Sequence, residues 1–170
     1  MEINEDQAIA RLAEALALWY GYPPAVARRI RIAALLHDIG KFGIADNILY
    51  KPGKLTRREF EIVKTHTTRG AEMLSSISGD IGVMIRDVCQ YHHEWHNPAL
   101  GGYWGISAAR LPDYVSIVSI CDVYMALTYA RPYKEAWPPE AAIAYIRHRA
   151  GTQFNPALVG IFCKLICGAH

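Results

Sequence analysis

Pro112-Asp113-Tyr114-Val115-Ser116-Ile117-Val118-Ser119-Ile120-Cys121-Asp122-Val123-Tyr124-Met125-Ala126-Leu127-Thr128 reads as a helix opened by proline, with a carboxylate at Asp122 set into its apolar face of Val115, Val118 and Met125. A lone charge on such a face would cost many kcal/mol or be neutralised by protonation, so the stretch implies a buried cation partner as well as a helix. The same pattern recurs. Asp38 follows Ile30 and Ala34 at steps of four, His66 lies one turn after Ile62 and about two before Met73, and His92 and His93 continue the faces of Val88 and Cys89.

Apolar residues keep helical spacing almost throughout and no segment alternates with period two, so the expected fold is all-α, a bundle of about seven helices with a metal centre in its core. Helices are expected at 5–20, 24–38, 56–76, 80–94, 112–128, 138–150 and 155–168. Pro23 and Pro24, the Thr56/Glu59 capping box, Pro138 with Pro139, and Asn155 with Pro156 supply their starts. Two long loops, Ile39–Leu55 and Trp95–Leu111, carry glycines, prolines and aromatics, and loops of that length in a helical domain are commonly functional.

The chain has 170 residues, 52% of them hydrophobic and 20% charged, with a formal net charge of +2. That is the size of one domain, 1–170, and it argues against disorder and against a broad surface for a nucleic-acid polymer. No apolar run is long enough to insert in a membrane and the acidic start is not a signal peptide, so the expected location is the cytoplasm. Cys89, Cys121, Cys163 and Cys167 lie in apolar helical text and are expected to be reduced core residues. A small metal site at Cys163, Cys167 and His170 is the alternative.

Imidazoles and carboxylates converging from several helices are what a metal site inside a bundle requires. The neighbours His37 and Asp38 can reach two ions, and a carboxylate shared between two ions is a device for making a hydroxide that attacks phosphate esters. No GxSxG elbow, GxxxxGK[ST] loop or GxGxxG turn competes with that reading.

Ala34-Leu35-Leu36-His37-Asp38-Ile39-Gly40-Lys41, Lys51-Pro52-Gly53-Lys54-Leu55, His66, Tyr91-His92-His93-Glu94, Gly102-Tyr103, Cys121-Asp122-Val123, Arg131-Pro132-Tyr133-Lys134 and Gly151-Thr152-Gln153-Phe154 together resemble the HD-GYP family, a branch of the HD metal-dependent phosphohydrolases. The resemblance implies an HD-domain bundle holding two or three divalent ions, most often iron or manganese, that hydrolyses cyclic di-GMP to linear pGpG and on to GMP in bacterial signalling. It implies Asp38 as the bridge, His37 and Asp122 on one ion, and His66, His92 and His93 on the other. Lys41 is implied beside the scissile phosphate, Arg131 and Lys134 as the phosphate-binding pair, and Tyr103 as a ligand or partner contact. It further implies association with a sensory or receiver domain, with a diguanylate cyclase, or with a second copy of the chain. A chain of this length has no room for such a domain, so the expected partner is a separate segment or protein.

Two departures bear on activity. The family carries a ligating histidine in its first helix, whereas no histidine precedes His37, and Glu5 or Asp6 falls at that position. Where the family reads HHExxDGxGYP, this loop has Asn97 near the aspartate, Trp104 for the proline and an additional His96, a further ligand candidate. These changes keep open a catalytically degenerate regulator that binds cyclic di-GMP or a protein, and hydrolysis of a different nucleotide.

Overall fold

A computed structural model describes residues 4–130 and 135–168. Among them lie nine α-helices: α1 (Glu5–Tyr20), α2 (Pro24–Leu36), α3 (Asp46–Leu49), α4 (Arg57–Lys64), α5 (His66–Met73), α6 (Gly79–Tyr91), α7 (Asp113–Thr128), α8 (Pro139–His148) and α9 (Pro156–Cys167). Short 3-10 turns occupy Ile39–Gly43 and Ala108–Arg110, and the only bridge among the described residues is an isolated one between Ala150 and Phe154. The expected all-α class holds.

α7 is the axis of the bundle because it is apolar on most sides, and it buries Val115, Ile117, Val118, Ile120, Cys121 and Tyr124. α1 packs on it through Ile9, Ala13 and Leu16, and α2 packs on α1 through Ala27, Ile30, Ala33 and Ala34. α6 lies against α2, α5 against α6, and α8 with α9 closes the far side through Ile146, Leu158 and Phe162. Cys89, Cys121 and Cys163 are buried free thiols as expected, whereas Cys167 is exposed; His170 lies outside the described residues.

Three boundaries differ from the sequence reading, and each difference bears on the site. The expected helix at 56–76 is two helices, broken at Thr65. There the hydroxyls of Thr65, Thr67 and Thr68 donate to the carbonyls of Ile62, Lys64 and Thr65, and His66 Nδ1 bonds the Val63 carbonyl. So many side chains bonding three residues back compete with the backbone ladder and turn the chain at the residue before His66. The helix expected to reach residue 38 stops at Leu36, with His37 as its C-cap. Asp38 is therefore in the turn beyond it, at φ −103° and ψ 9°, in the bridge region that tight turns and active sites share. Likewise α6 ends at Tyr91, which puts His92 and His93 just past its last turn. The long Ile39–Leu55 loop is not structureless, since it holds the first 3-10 turn and α3.

Candidate metal centre

Four pieces of chain bring the site together. The turn after α2 supplies His37 and Asp38, the first residue of α5 is His66, the end of α6 gives His92 and His93, and α7 contributes Asp122. The α2 turn must press closely on α5, and Gly40 makes that possible. A methyl group built there would lie 1.9 Å from the His66 carbonyl oxygen and 2.5 Å from the Gly70 nitrogen. Arg69 Nη1 donates to the Gly43 carbonyl at 2.5 Å, and the Cys89 thiol to the Leu36 carbonyl at 3.3 Å, so the same turn is also tied to α5 and α6.

The donor atoms form two overlapping groups, each with all its atoms within 4.8 Å of one another: Asp38, His66, His92 and His93, and His37, His92 and Asp122. Asp38 spans them. Its Oδ2 lies 3.2 Å from His37 Nε2, while its Oδ1 lies 3.2 Å from His66 Nε2 and 3.7 Å from His92 Nε2. Asp122 Oδ1 is 3.8 Å from His37 Nε2.

The ring orientations have a definite cause. Nδ1 of His37 bonds the Ala34 carbonyl at 2.7 Å, that of His66 the Val63 carbonyl at 2.7 Å, and that of His92 the Val88 carbonyl at 2.9 Å. Anchoring Nδ1–H to a backbone carbonyl leaves the Nε2 lone pair of a neutral imidazole pointing at the centre, the usual arrangement behind a metal-ligating histidine. His37, His66 and His92 are nearly fully buried, yet their Nε2 atoms and Asp38 Oδ1 have no hydrogen-bond partner. Leaving four such atoms unsatisfied costs on the order of 1–3 kcal/mol each, so the arrangement makes sense as a ligand set.

Electrostatics point the same way. Burial opposes ionisation of Asp38, but the adjacent His37, the nearby His66 imidazole and the Lys41 ammonium outweigh it and hold the carboxyl well below its ordinary value. Burial also opposes charge on His37, and Asp38 and Asp122 overcome it, raising that imidazole to about 9. Burial and the neighbouring imidazoles hold His92 well below the usual histidine range, and burial and His66 push His93 down to about 3. Burial pushes the Asp122 carboxyl up. Asp38 and Asp122 thus lie among imidazoles of which His92 and His93 are held neutral, an environment that a divalent cation between the carboxylates would suit. Mixed imidazole and carboxylate donors fit borderline ions such as iron, manganese or zinc rather than calcium.

Around the centre, Lys41 Nζ pairs with Asp38 Oδ2. The Tyr103 ring lies 4.4 Å from that of His93 and edge-on to Phe60 at 5.8 Å, and burial pushes its phenol up to about 12, so it stays a hydrogen-bond donor. Glu5 is half-buried and its charge reaches Asp122, whereas Asp6 is exposed. Neither joins the two donor groups. His96 joins neither donor group. Arg131 and Lys134 lie outside the described residues.

The departures in the second loop have structural jobs. Trp104 Nε1 donates to Thr67 Oγ1 at 3.1 Å with the Lys64 ammonium 5.1 Å from its ring, which clamps the loop on α5. Asn97 Oδ1 accepts from the Ala99 amide at 3.1 Å in a local turn. One residue escaped assignment from sequence. Glu94 is 2% exposed and accepts from the backbone amides of Tyr103, Trp104 and Ile106 at 3.2, 2.8 and 3.0 Å. Gly102, at φ +103°, gives the turn that lets those amides converge. Its signal was a carboxylate directly after the two histidines followed by a glycine-rich loop.

A family model described as HD domain matches residues 1–158. The chain belongs to the HD domain family. This HD domain is 36% identical over 159 residues to a cyclic di-GMP phosphodiesterase of Pseudomonas aeruginosa, covering 94% of the chain and 38% of the relative. It is 34% identical over 160 residues to a 3'3'-cGAMP-specific phosphodiesterase of Vibrio cholerae, covering 93% of the chain and 30% of the relative. The chain therefore spans well under half the length of these curated relatives. An HDGYP protein from Bdellovibrio bacteriovorus superposes with a TM-score of 0.74 at 18% identity, over 96% of this chain and 52% of that one, which establishes the shared fold. The HD-GYP resemblance read from the motifs agrees with these likenesses.

Proposed function

We propose that this HD domain is a metal-dependent phosphodiesterase that hydrolyses cyclic di-GMP to linear pGpG or GMP. The observation that carries the reading is Asp38, whose two oxygens face separate sets of inward-pointing imidazole nitrogens. Asp38 would be shared between two ions, with His37 and Asp122 holding one and His66, His92 and His93 the other, and iron or manganese is the metal the donors suit best. Glu5, beside Asp122, takes the place of the family's first-helix histidine. Divalent ions held by these residues would supply Lewis acidity to the phosphate and lower the pKa of a water so that hydroxide is available near neutral pH.

The remaining groups act on the substrate. Lys41 is about two-fifths exposed at the rim of the centre, and it leaves Asp38 to meet the negative charge that develops on the phosphate. Tyr103 donates its phenolic proton to a ligand oxygen or nitrogen from the wall beside His93. Arg131 and Lys134 bind the second phosphate of a dianionic ring.

Protein loaded with manganese or iron is incubated with cyclic di-GMP and the products are separated by chromatography. pGpG or GMP is expected. No product despite bound metal overturns the enzyme reading. The absence of a histidine in α1 is the observation favouring the second reading, a regulator that binds cyclic di-GMP without turnover.

A further inference from the structure

A cavity of about 220 Å³ opens directly beside His92 and His93. Phe60, Trp95 and Tyr103 give it aromatic walls, and Ser119 and Gln153 give it polar ones. Pockets that enclose a whole drug-sized ligand run to roughly 300–1,000 Å³, so this one takes one flat part of a larger molecule and leaves the rest outside. Aromatic side walls suit a heterocyclic base, which stacks on or meets their faces edge-on.

Gln153 is the unexplained group in that wall. Its Oε1 is buried and has no hydrogen-bond partner. Its backbone, by contrast, is fully committed: the amide donates to the Arg149 carbonyl at 3.0 Å and the carbonyl accepts from the His96 amide at 3.0 Å. The next residue, Phe154, is 3% exposed in the core. The side chain is thus presented from a rigid turn, and its acceptor would cost stability unless something entering the cavity donated to it.

We infer that the Gln153 carboxamide is a specificity-determining group, accepting a hydrogen bond from the N–H edge of one base of the nucleotide while Tyr103 and Phe60 flank its ring. This rests on the reading that the ligand is a cyclic dinucleotide. Guanine offers that acceptor its adjacent N1–H and N2–H donors, and adenine offers its amino group while its ring nitrogen can meet the carboxamide N–H, so Gln153 reads the presence of a base edge. Ser119, on α7, adds a second polar side chain to the cavity wall.

The test compares the manganese-loaded wild-type chain with Gln153→Leu and Gln153→Glu on cyclic di-GMP, cyclic di-AMP and the base-free ester bis(p-nitrophenyl) phosphate. Metal content is measured in each. The leucine variant is expected to lose about tenfold in kcat/KM for cyclic di-GMP, mainly through KM, and at least about fivefold less for the base-free ester. Any hydrolysis of cyclic di-AMP falls by a similar factor, since both bases present a donor to the same acceptor. The glutamate variant keeps an acceptor and is expected to retain cyclic di-GMP hydrolysis to within about threefold. A leucine variant with wild-type kcat/KM on the cyclic dinucleotides, or one that loses equally on the base-free ester, overturns the inference. A wild-type chain that neither binds nor cleaves either cyclic dinucleotide overturns the phosphodiesterase reading itself, and this inference with it.

Discussion

Both donor groups share His92, and Asp38 ties the centre together through both of its oxygens, Oδ2 facing His37 and Oδ1 facing His66 and His92. It occupies that place through its backbone: one step beyond the α2 cap, in a turn that Gly40 lets approach His66. Replacing Asp38 by alanine is expected to remove metal from both positions while His37, His66 and His92 keep their carbonyl anchors. Elemental analysis checks it, and full occupancy in the variant would show that Asp38 bridges nothing. The pairwise anchoring of Nδ1 matters equally, since a ring free to turn would present the wrong nitrogen.

At the level of elements, helix ends build this site. His37, His66, His92 and His93 all sit at the first residue or just past the last residue of a helix, where side chains converge from different directions. The loop between α6 and α7 has no regular structure of its own apart from one 3-10 turn, and the Glu94 carboxylate gathers three of its amides. Glu94→Ala leaves those amides without an acceptor, and is expected to cost about 3 kcal/mol in denaturant unfolding. Amide exchange at Tyr103, Trp104 and Ile106 should accelerate, and Tyr103 should lose its fixed place beside His93. Wild-type stability in this variant would show that the loop is held by Trp104 and Lys64 instead. α4 starts with the Thr56/Glu59 capping box expected from sequence, with Lys51 bonded to Glu59 at 2.7 and 2.8 Å.

For the molecule as a whole, the centre is held in shape by a core that runs from α1 through α7 to α9, and polar ties reinforce it at the periphery. One such tie joins the end of α1 to the start of α7, where the Tyr20 hydroxyl donates to Asp113 Oδ2 at 2.7 Å. The hydrogen bond to Asp113, then burial, then the charge of Asp113 raise the phenol from 10.0 to about 12. A pKa raised on folding means that the stabilisation is complete below pH 10 and is lost as pH climbs from 10 to about 12. Tyr20→Phe is therefore expected to be less stable than wild type by about 1 kcal/mol near pH 8, a value kept modest by solvent exposure. The difference should close by pH 12, and thermal melts of both proteins at several pH values measure it. A gap that stays constant with pH would mean that the hydroxyl contributes packing alone. Among the described residues, no helix is long and apolar enough to cross a membrane.

Much of this was legible in one dimension. Asp122 inside an apolar helical face, and imidazoles one turn from core residues, announced a buried polar cluster because periodicity and the cost of burying charge are both local properties of the chain. The all-α class and the starts of α2, α4, α8 and α9 were legible for the same reason, since proline and capping residues act within a few positions of themselves. What periodicity could not show was where the helices stop: the break at Thr65 depends on several side chains competing for the same carbonyls, and the α2 turn on a close approach to another helix at Gly40. Nor could it give Glu94 its three amides, or set Gln153 in the wall of a cavity beside His92 and His93. Those outcomes join residues distant in sequence, and only packing in three dimensions brings them within reach of one another.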